Sequence, residues 1–208
     1  MKLLSNLFIF IVFSSILNAQ ESVFRPDSEI KIYVNFPLTF GENMLNEAHD
    51  AKIGWGFMTS PFSIYNFKIG FGFDYTKFDV TDVSLAGNID RTELLNLYGY
   101  LAYPLEITEK FNVEPKLGIG GNKLRQKTES KDFGNMKGTS FILGTSLDYE
   151  IAYPLFIMGG ADFVHTNFNV RTHPDNEKFF QNASQLNLYI GLKFRFLKRK
   201  SRSERDDD

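Results

Sequence analysis

The stretch Tyr65–Tyr75, with the sequence YNFKIGFGFDY, decides the predicted fold. Every odd-numbered position in it is aromatic or aliphatic, and every even-numbered position is polar or glycine. Side chains alternate between the two faces of a β-strand, whereas a helix brings every third or fourth residue to one face. The stretch therefore predicts a strand that has one apolar face and one polar face.

Seven further segments of the chain alternate in the same way. They are Glu29–Leu38, Lys52–Phe57, Leu94–Tyr103, Asn112–Gly121, Ser140–Ile151, Leu155–Val164 and Gln185–Phe196. Segments of this length that alternate with a period of two and are bounded by turn residues are typical of β-strands. The sequence therefore predicts eight strands.

The connections between these strands alternate between long and short. The long, polar connections are 41–50, 77–92, 122–138 and 165–184, and the short ones are 59–64, 104–110 and 152–154. Long loops at one end and short turns at the other are typical of barrels that cross an outer membrane. We therefore predict an all-β fold: an eight-stranded antiparallel up-and-down transmembrane β-barrel.

The charged residues of the strands lie on one face only. The face opposite to them carries no charge when one parity is chosen in each strand, although 23% of the chain is charged. A Lys or Arg on the lipid face at the bilayer midplane costs roughly 2–4 kcal/mol, so the charged face is expected inside the barrel. This predicts a lumen charge network of positive and negative side chains. Its members are Lys31, Lys52, Lys68, Asp74, Glu114, Lys116, Asp148, Glu150, Asp162, Lys193 and Arg195.

Alternation by itself is also compatible with a soluble ligand-binding β-barrel, whose apolar face points inward. Three features favour the membrane barrel. Aromatic residues such as Tyr65, Tyr75 and Tyr149 stand near strand ends, as in interfacial girdles. Glycines share the charged face, where a narrow lumen needs small residues. The last strand carries Gly191, Phe194 and Phe196, which resemble the C-terminal insertion signal of outer-membrane barrels.

The two ends of the chain predict export and a terminal tail. Residues 1–19 have the positive start, apolar core and small residue before the cleavage site of a signal peptide. We expect 20–28 to be an N-terminal periplasmic segment, 29–196 the barrel, and 197–208 a charged periplasmic tail. The net charge of −2 argues against a nucleic-acid ligand, and the lack of cysteine excludes disulfides and thiolate metal sites.

These features together resemble the small bacterial outer-membrane barrels, including OmpX-like and OmpA-like proteins. The segment LLNLYGYLAYPLEITEKFNVEPKLGIGG (94–121) also resembles the PorT-like outer-membrane barrels of Bacteroidetes. The resemblance implies an integral protein of the bacterial outer membrane. It implies contact with membrane lipid and lipopolysaccharide and with the barrel-insertion machinery. It implies no cofactor, and it does not identify the extracellular partner.

The sequence leaves the function open between several classes. His165 has Asn167 rather than a serine two positions later, so it lacks the His and Ser arrangement of outer-membrane lipid A deacylases. We therefore expect a non-enzymatic barrel with a structural or adhesive role that uses its extracellular loops. The alternatives are a small pore or a secretion-machinery component of the PorT-like kind, and a soluble ligand-binding barrel.

Overall fold

A computed structural model describes residues 24–128, 131–170 and 172–196, and within these ranges eight long strands form a closed antiparallel barrel. The strands are β1 (Phe24–Phe40), β2 (Gly54–Ile64), β3 (Phe67–Val80), β4 (Arg91–Ala102), β5 (Phe111–Thr128), β6 (Lys131–Ala152), β7 (Leu155–Asn169) and β8 (Asn182–Arg195). Each strand pairs with the next, and β8 returns to pair with β1 from Glu29↔Arg195 to Phe40↔Ser184. The predicted fold is confirmed.

Three short helices and two short strands complete the described part of the chain. They are α1 (Met44–Glu47), α2 (Val83–Ala86), α3 (Pro174–Gln181), His49–Ala51, which pairs with β3, and Leu105–Glu106, which pairs with β5. No helix among the described residues is long and apolar enough to cross a membrane. The predicted signal peptide and the charged tail 197–208 lie outside the described residues, and β1 begins at Phe24, earlier than predicted.

The apolar face of the strands lies on the outside of the barrel. Many large apolar side chains there are at least half exposed, among them Trp55, Phe71, Leu97, Ile119, Leu143 and Ile190. The charged face lies inside, where Lys31, Lys68 and Lys193 are at most 1% exposed. A soluble protein would have the opposite arrangement, so this exterior requires lipid and excludes the ligand-binding calyx.

The turn between β2 and β3 lies later than predicted. The sequence predicts a turn over 59–64, but β2 continues to Ile64, and Tyr65 and Asn66 form the turn with φ values of 47° and 71°. A two-residue hairpin turn of this hand matches the twist of the strands, and Asn tolerates it well. Ser60 and Pro61 instead lie at a shift of register between β2 and β3, which is a bulge.

We call the end of the barrel with the short turns the turn end and the opposite end the loop end. At the loop end the predicted loop 122–138 is wrong, because β5 and β6 extend as a hairpin whose pairing reaches Thr128↔Lys131. The predicted loop 41–50 contains α1, whose N-cap residue Asn43 accepts a hydrogen bond from the backbone of Asn46 through its side chain. The loop end is therefore more ordered than its polar sequence suggests.

We expect Phe71→Arg to destabilise the folded barrel, since Phe71 is 60% exposed on the lipid face of β3. The cost is roughly 2–4 kcal/mol at mid-membrane depth. The measurement is urea unfolding of the protein in phospholipid vesicles. Phe71→Leu is the matched control and should unfold close to wild type. An arginine variant as stable as the leucine variant would refute the lipid-facing assignment.

We expect the loop end to face the outside of the cell, because long loops are extracellular in such barrels. The chain has no native cysteine, so single cysteines can be labelled selectively. Ser84→Cys in α2 should react with an impermeant maleimide in whole cells. Glu109→Cys at the turn end should react only after the cells are broken. The reverse pattern would invert the orientation.

Candidate functional site in the barrel lumen

A cluster of three carboxylates and three ammonium groups fills the lumen near the turn end, and we call it the ion-pair core. Lys68 donates to Glu29 at 2.6 Å and to Glu114 at 2.7 Å. Lys193 donates to Asp148 at 2.6 Å and lies 3.0 Å from Glu29, while Lys31 donates to Glu114. The six side chains come from β1, β3, β5, β6 and β8. The core therefore ties five of the eight strands together through the lumen.

The ion-pair core has equal numbers of positive and negative groups, and each member is at most 1% exposed. Removing a charge from water costs several kcal/mol, and this cost is offset only when partners satisfy the charge closely. In this core each Lys lies within 4 Å of at least two carboxylates. The six charges sum to zero, and their hydrogen-bonded side chains close the turn end of the lumen.

Tyrosine rings fill the middle of the lumen, each lying against a glycine on a neighbouring strand. A Cβ on Gly72 would lie 2.2 Å from the Tyr98 ring, and one on Gly56 would lie 2.3 Å from the Tyr33 ring. Tyr33 also donates a hydrogen bond to Asp74. The lumen-facing glycines therefore create the space that the aromatic side chains of this layer occupy.

A second buried ion pair crosses the lumen at the tyrosine layer. Lys116 lies 2.8 Å from Asp162, and its ammonium group is 4.9 Å from the centroid of the Tyr189 ring. Further toward the loop end the inward side chains are uncharged, and Asn122 donates to Ser140 at 2.9 Å. The lumen thus changes along the barrel from charged to neutral and polar.

The loop end of the lumen is closed by apolar side chains, which we call the apolar cap. Met44 and Leu45 of α1 are at most 2% exposed and pack against inward residues of the barrel wall. The wall contributes Phe78, Leu94, Leu124, Phe168 and Ala183. α1 therefore covers the mouth of the barrel with hydrophobic contacts.

His49 fixes α1 to the barrel wall beside the apolar cap. Its Nδ1 donates to the Met44 carbonyl oxygen at 2.9 Å, and its Nε2 lies 2.8 Å from the Thr92 hydroxyl. Burial lowers the pKa of His49, although the hydrogen bond to Met44 acts in the opposite direction. The ring is therefore neutral at pH 7, which lets Nε2 accept from Thr92. His49 lies within the predicted polar loop 41–50, and nothing in the sequence indicates this contact.

The structure places nine of the eleven predicted network residues in buried lumen positions and two elsewhere. The prediction for Lys52 is wrong: it lies just before β2 at the loop end, where its exposed ammonium group pairs with Asp50 at 2.7 Å and Asp79 at 3.3 Å. These two hydrogen bonds raise the pKa of Lys52. Glu150 is only half-buried, at the turn end of β6, and does not belong to the ion-pair core.

Among the remaining predicted residues, Arg195 is buried with its guanidinium 5.1 Å from the Phe156 ring centroid. Gly191 lies opposite Tyr33, and Phe194 and Phe196 point outward at the end of the last strand. Their role as an insertion signal stays a prediction. Glu29 is not among the predicted network residues, although it has the same parity as Lys31 on β1 and is fully buried.

His165 forms a hydrogen bond with a serine of the neighbouring strand. Ser184 of β8 lies opposite His165 of β7, and the hydroxyl is 3.0 Å from Nδ1. Both side chains point outward. The facing residue on β6 is Phe141, so these strand partners place no carboxylate against the imidazole to orient it. The described residues also contain no group of three or more His, Asp or Glu side chains that could hold a metal.

We expect Glu114→Gln to destabilise the barrel by about 3–5 kcal/mol, because it leaves buried ammonium groups without their shared carboxylate. The measurement is urea unfolding in vesicles, with the folded fraction read from its gel mobility. Adding Lys68→Met to Glu114→Gln should restore part of the loss, since charge balance returns. Lys52→Gln, which breaks only exposed pairs, is the control and should match wild type. Equal stability of Glu114→Gln and wild type would exclude a structural role for the ion-pair core.

Comparisons with known proteins agree with this architecture. No protein-family model matches the sequence, and no curated protein resembles it significantly. Among solved structures, Neisserial surface protein A aligns with a TM-score of 0.62 at 12% identity, covering 83% of this chain and 99% of that one. A major outer membrane protein from Thermus thermophilus aligns with a TM-score of 0.51 at 14% identity, covering 81% and 99%.

At these identities the likeness concerns the fold. The lipid-suited exterior supplies the second argument, because a barrel with this surface is stable only within a bilayer. Fold and surface together place the protein in the bacterial outer membrane. The chain has the architecture of the small eight-stranded outer-membrane β-barrels.

Proposed function

We propose that the protein is a closed, non-enzymatic outer-membrane barrel that acts through its loop end, in a structural or adhesive role. The observation that carries this proposal is the double closure of the lumen. The ion-pair core fills it near the turn end, and the apolar cap covers it at the loop end. Eight strands enclose a space that side chains just fill, so transport through such a lumen would require both closures to move.

The non-enzymatic part of the proposal is supported by the surroundings of the His165 and Ser184 pair. A serine nucleophile needs a base that a third group orients, and a set of donors for the oxyanion. The neighbouring outward residues are Phe141, Phe163 and Asn167, none of which is a carboxylate. A hydroxyl–imidazole hydrogen bond between adjacent strands instead stabilises the pairing of β7 with β8.

The loop end offers the surface through which such a barrel would meet a partner. The β5–β6 hairpin extends past the apolar cap, while α2 lies beside α1, and α3 lies beside β7 and β8. Val83 and Leu85 of α2 are exposed there, and α3 begins with Pro174 after the capping residue His173. These ordered elements support an interaction role, with lipopolysaccharide around the barrel and an extracellular partner above it. Insertion by the barrel-assembly machinery belongs to the same proposal.

We expect the wild-type protein to give no steady porin-scale current in a planar bilayer, because the ion-pair core and the apolar cap close the lumen in series. The variant Met44→Ser with Leu45→Ser, which weakens only the cap, should also be silent because the core remains. The control is a sixteen-stranded porin in the same bilayer. Steady current from wild type would favour the alternative of a small pore. Current from the cap variant alone would show that the core does not seal the lumen.

A further inference from the structure

We propose that the outward face of β3–β6 at the loop end binds the phosphate groups of a phosphorylated glycolipid in the surrounding leaflet. This inference rests on the proposed function, since it requires an integral barrel whose loop end lies in the outer leaflet. It goes further by naming one ligand chemistry and one side of the barrel. We call this surface the basic face.

The basic face consists of lysine and arginine side chains on four adjacent strands. Its members are Lys77, Arg91, Lys123, Arg125, Lys127 and Lys137. Their positions follow from the register: Lys123 lies opposite Lys137, Arg91 opposite Lys127, and Glu93 between Lys77 and Arg125. Directly opposed residues have Cβ atoms ≈ 4.5–5.5 Å apart, so one anionic headgroup can contact several of these side chains.

The acids of the protein neutralise only part of the basic face. Glu93 at its centre lies 2.8 Å from Lys127 and 3.5 Å from Arg91. Asp79, opposite Arg91 in the register, lies 3.3 Å from Lys52. These two acids leave the face an excess of positive charge, which comes from Lys77, Lys123, Arg125 and Lys137. Like charges directly opposite each other destabilise a sheet, and Lys123 opposite Lys137 is such a pair. The strands keep this unfavourable pair in register, and an external anion between the two ammonium groups would remove the repulsion.

The basic face begins where the lipid-facing surface ends. Lys77 follows Tyr75 at the next outward position of β3, and its ammonium group is 5.9 Å from the Tyr75 ring centroid. On β5 the last large apolar residue of the outward face is Ile119, which is 64% exposed, and Lys123 is two outward positions beyond it. Lysine and arginine at such a boundary place their stems along the apolar surface and their charges among the headgroups. At this depth the charged groups lie level with lipid phosphates and below the open water above the barrel.

Among the described residues, β7 and β8 carry no comparable charge at the same register. Beyond the apolar belt, the outward residues of β7 and β8 include Asn167, Asn169, Asn182 and Ser184. A general adaptation to the interface would distribute lysine and arginine around the whole circumference. The restriction to β3–β6 instead indicates a site, and its continuity with the lipid-facing belt favours a membrane lipid over a soluble anion.

The single tryptophan of the chain provides the measurement. Trp55 stands on the lipid face of β2, with its ring 6.1 Å from that of Tyr75 at the edge of the basic face. Energy transfer from Trp55 to dansyl-labelled lipid A would therefore report lipid bound at this side. The full mature chain is reconstituted in phosphatidylcholine nanodiscs that contain labelled diphosphoryl lipid A or the same lipid without its phosphates. Competition with unlabelled lipid gives the apparent affinity.

The test compares two double variants that remove the same amount of charge. Arg125→Gln with Lys137→Gln alters the basic face, whereas Lys110→Gln with Lys178→Gln removes two exposed lysines elsewhere. At about 1 kcal/mol for each basic residue near an anionic surface, the first variant should bind diphosphoryl lipid A roughly 30-fold more weakly than wild type. The control should bind as wild type does, and added salt should weaken the wild-type interaction.

The inference is overturned if wild type binds the two lipids equally or if the two double variants behave alike. Displacement of the labelled lipid by inorganic phosphate or a soluble sulfated oligosaccharide at similar concentrations would also overturn it, by assigning the face to a soluble anion. A failure of the proposed function is recognised separately. It would appear as steady current through the barrel, with the lipid preference unchanged.

Discussion

The ion pairs of the lumen are the interaction on which the rest of the barrel depends. The outside of the barrel faces lipid, so every ionisable side chain of the membrane-spanning strands has to be satisfied on the inside. Lys68 joins Glu29 of β1 to Glu114 of β5 across the lumen, which no backbone ladder does. Since a slip of one residue would turn these charges toward lipid, the core also fixes the register of the strands that contribute to it.

The glycines and tyrosines follow from the same constraint. Eight strands leave little room, so large inward side chains must alternate with very small ones. Tyr98 occupies the space above Gly72, and Tyr33 that above Gly56 while its hydroxyl reaches Asp74. Large apolar side chains on the outside and glycines beside inward tyrosines are therefore a single solution to one packing problem.

Much of this architecture could be predicted from the sequence because a period of two encodes which face a side chain takes. The alternation in Tyr65–Tyr75 predicted both the strands and the side on which Lys68 lies. Features that depend on contacts distant in sequence could not be found in this way. Ser184 approaches His165 only through the pairing of β8 with β7, and Leu45 enters the lumen only because a loop folds back. Lys52 alternates like a strand residue but precedes β2, since alternation does not mark where a strand begins.

The two closures of the lumen, the ion-pair core and the apolar cap, differ in how accurately their side chains must be placed. Buried ion pairs need exact distances, and the turn end supplies them because Tyr65–Asn66 joins two strands with minimal freedom. At the loop end β1 and β2 are joined by the longer segment 41–53, which contains α1. Hydrophobic contacts are non-directional and tolerate small displacements, so Met44 and Leu45 can close this end without accurate placement. Loops above such a cap can change in sequence without disturbing the ion-pair core, which leaves the loop end free to adapt to its partners.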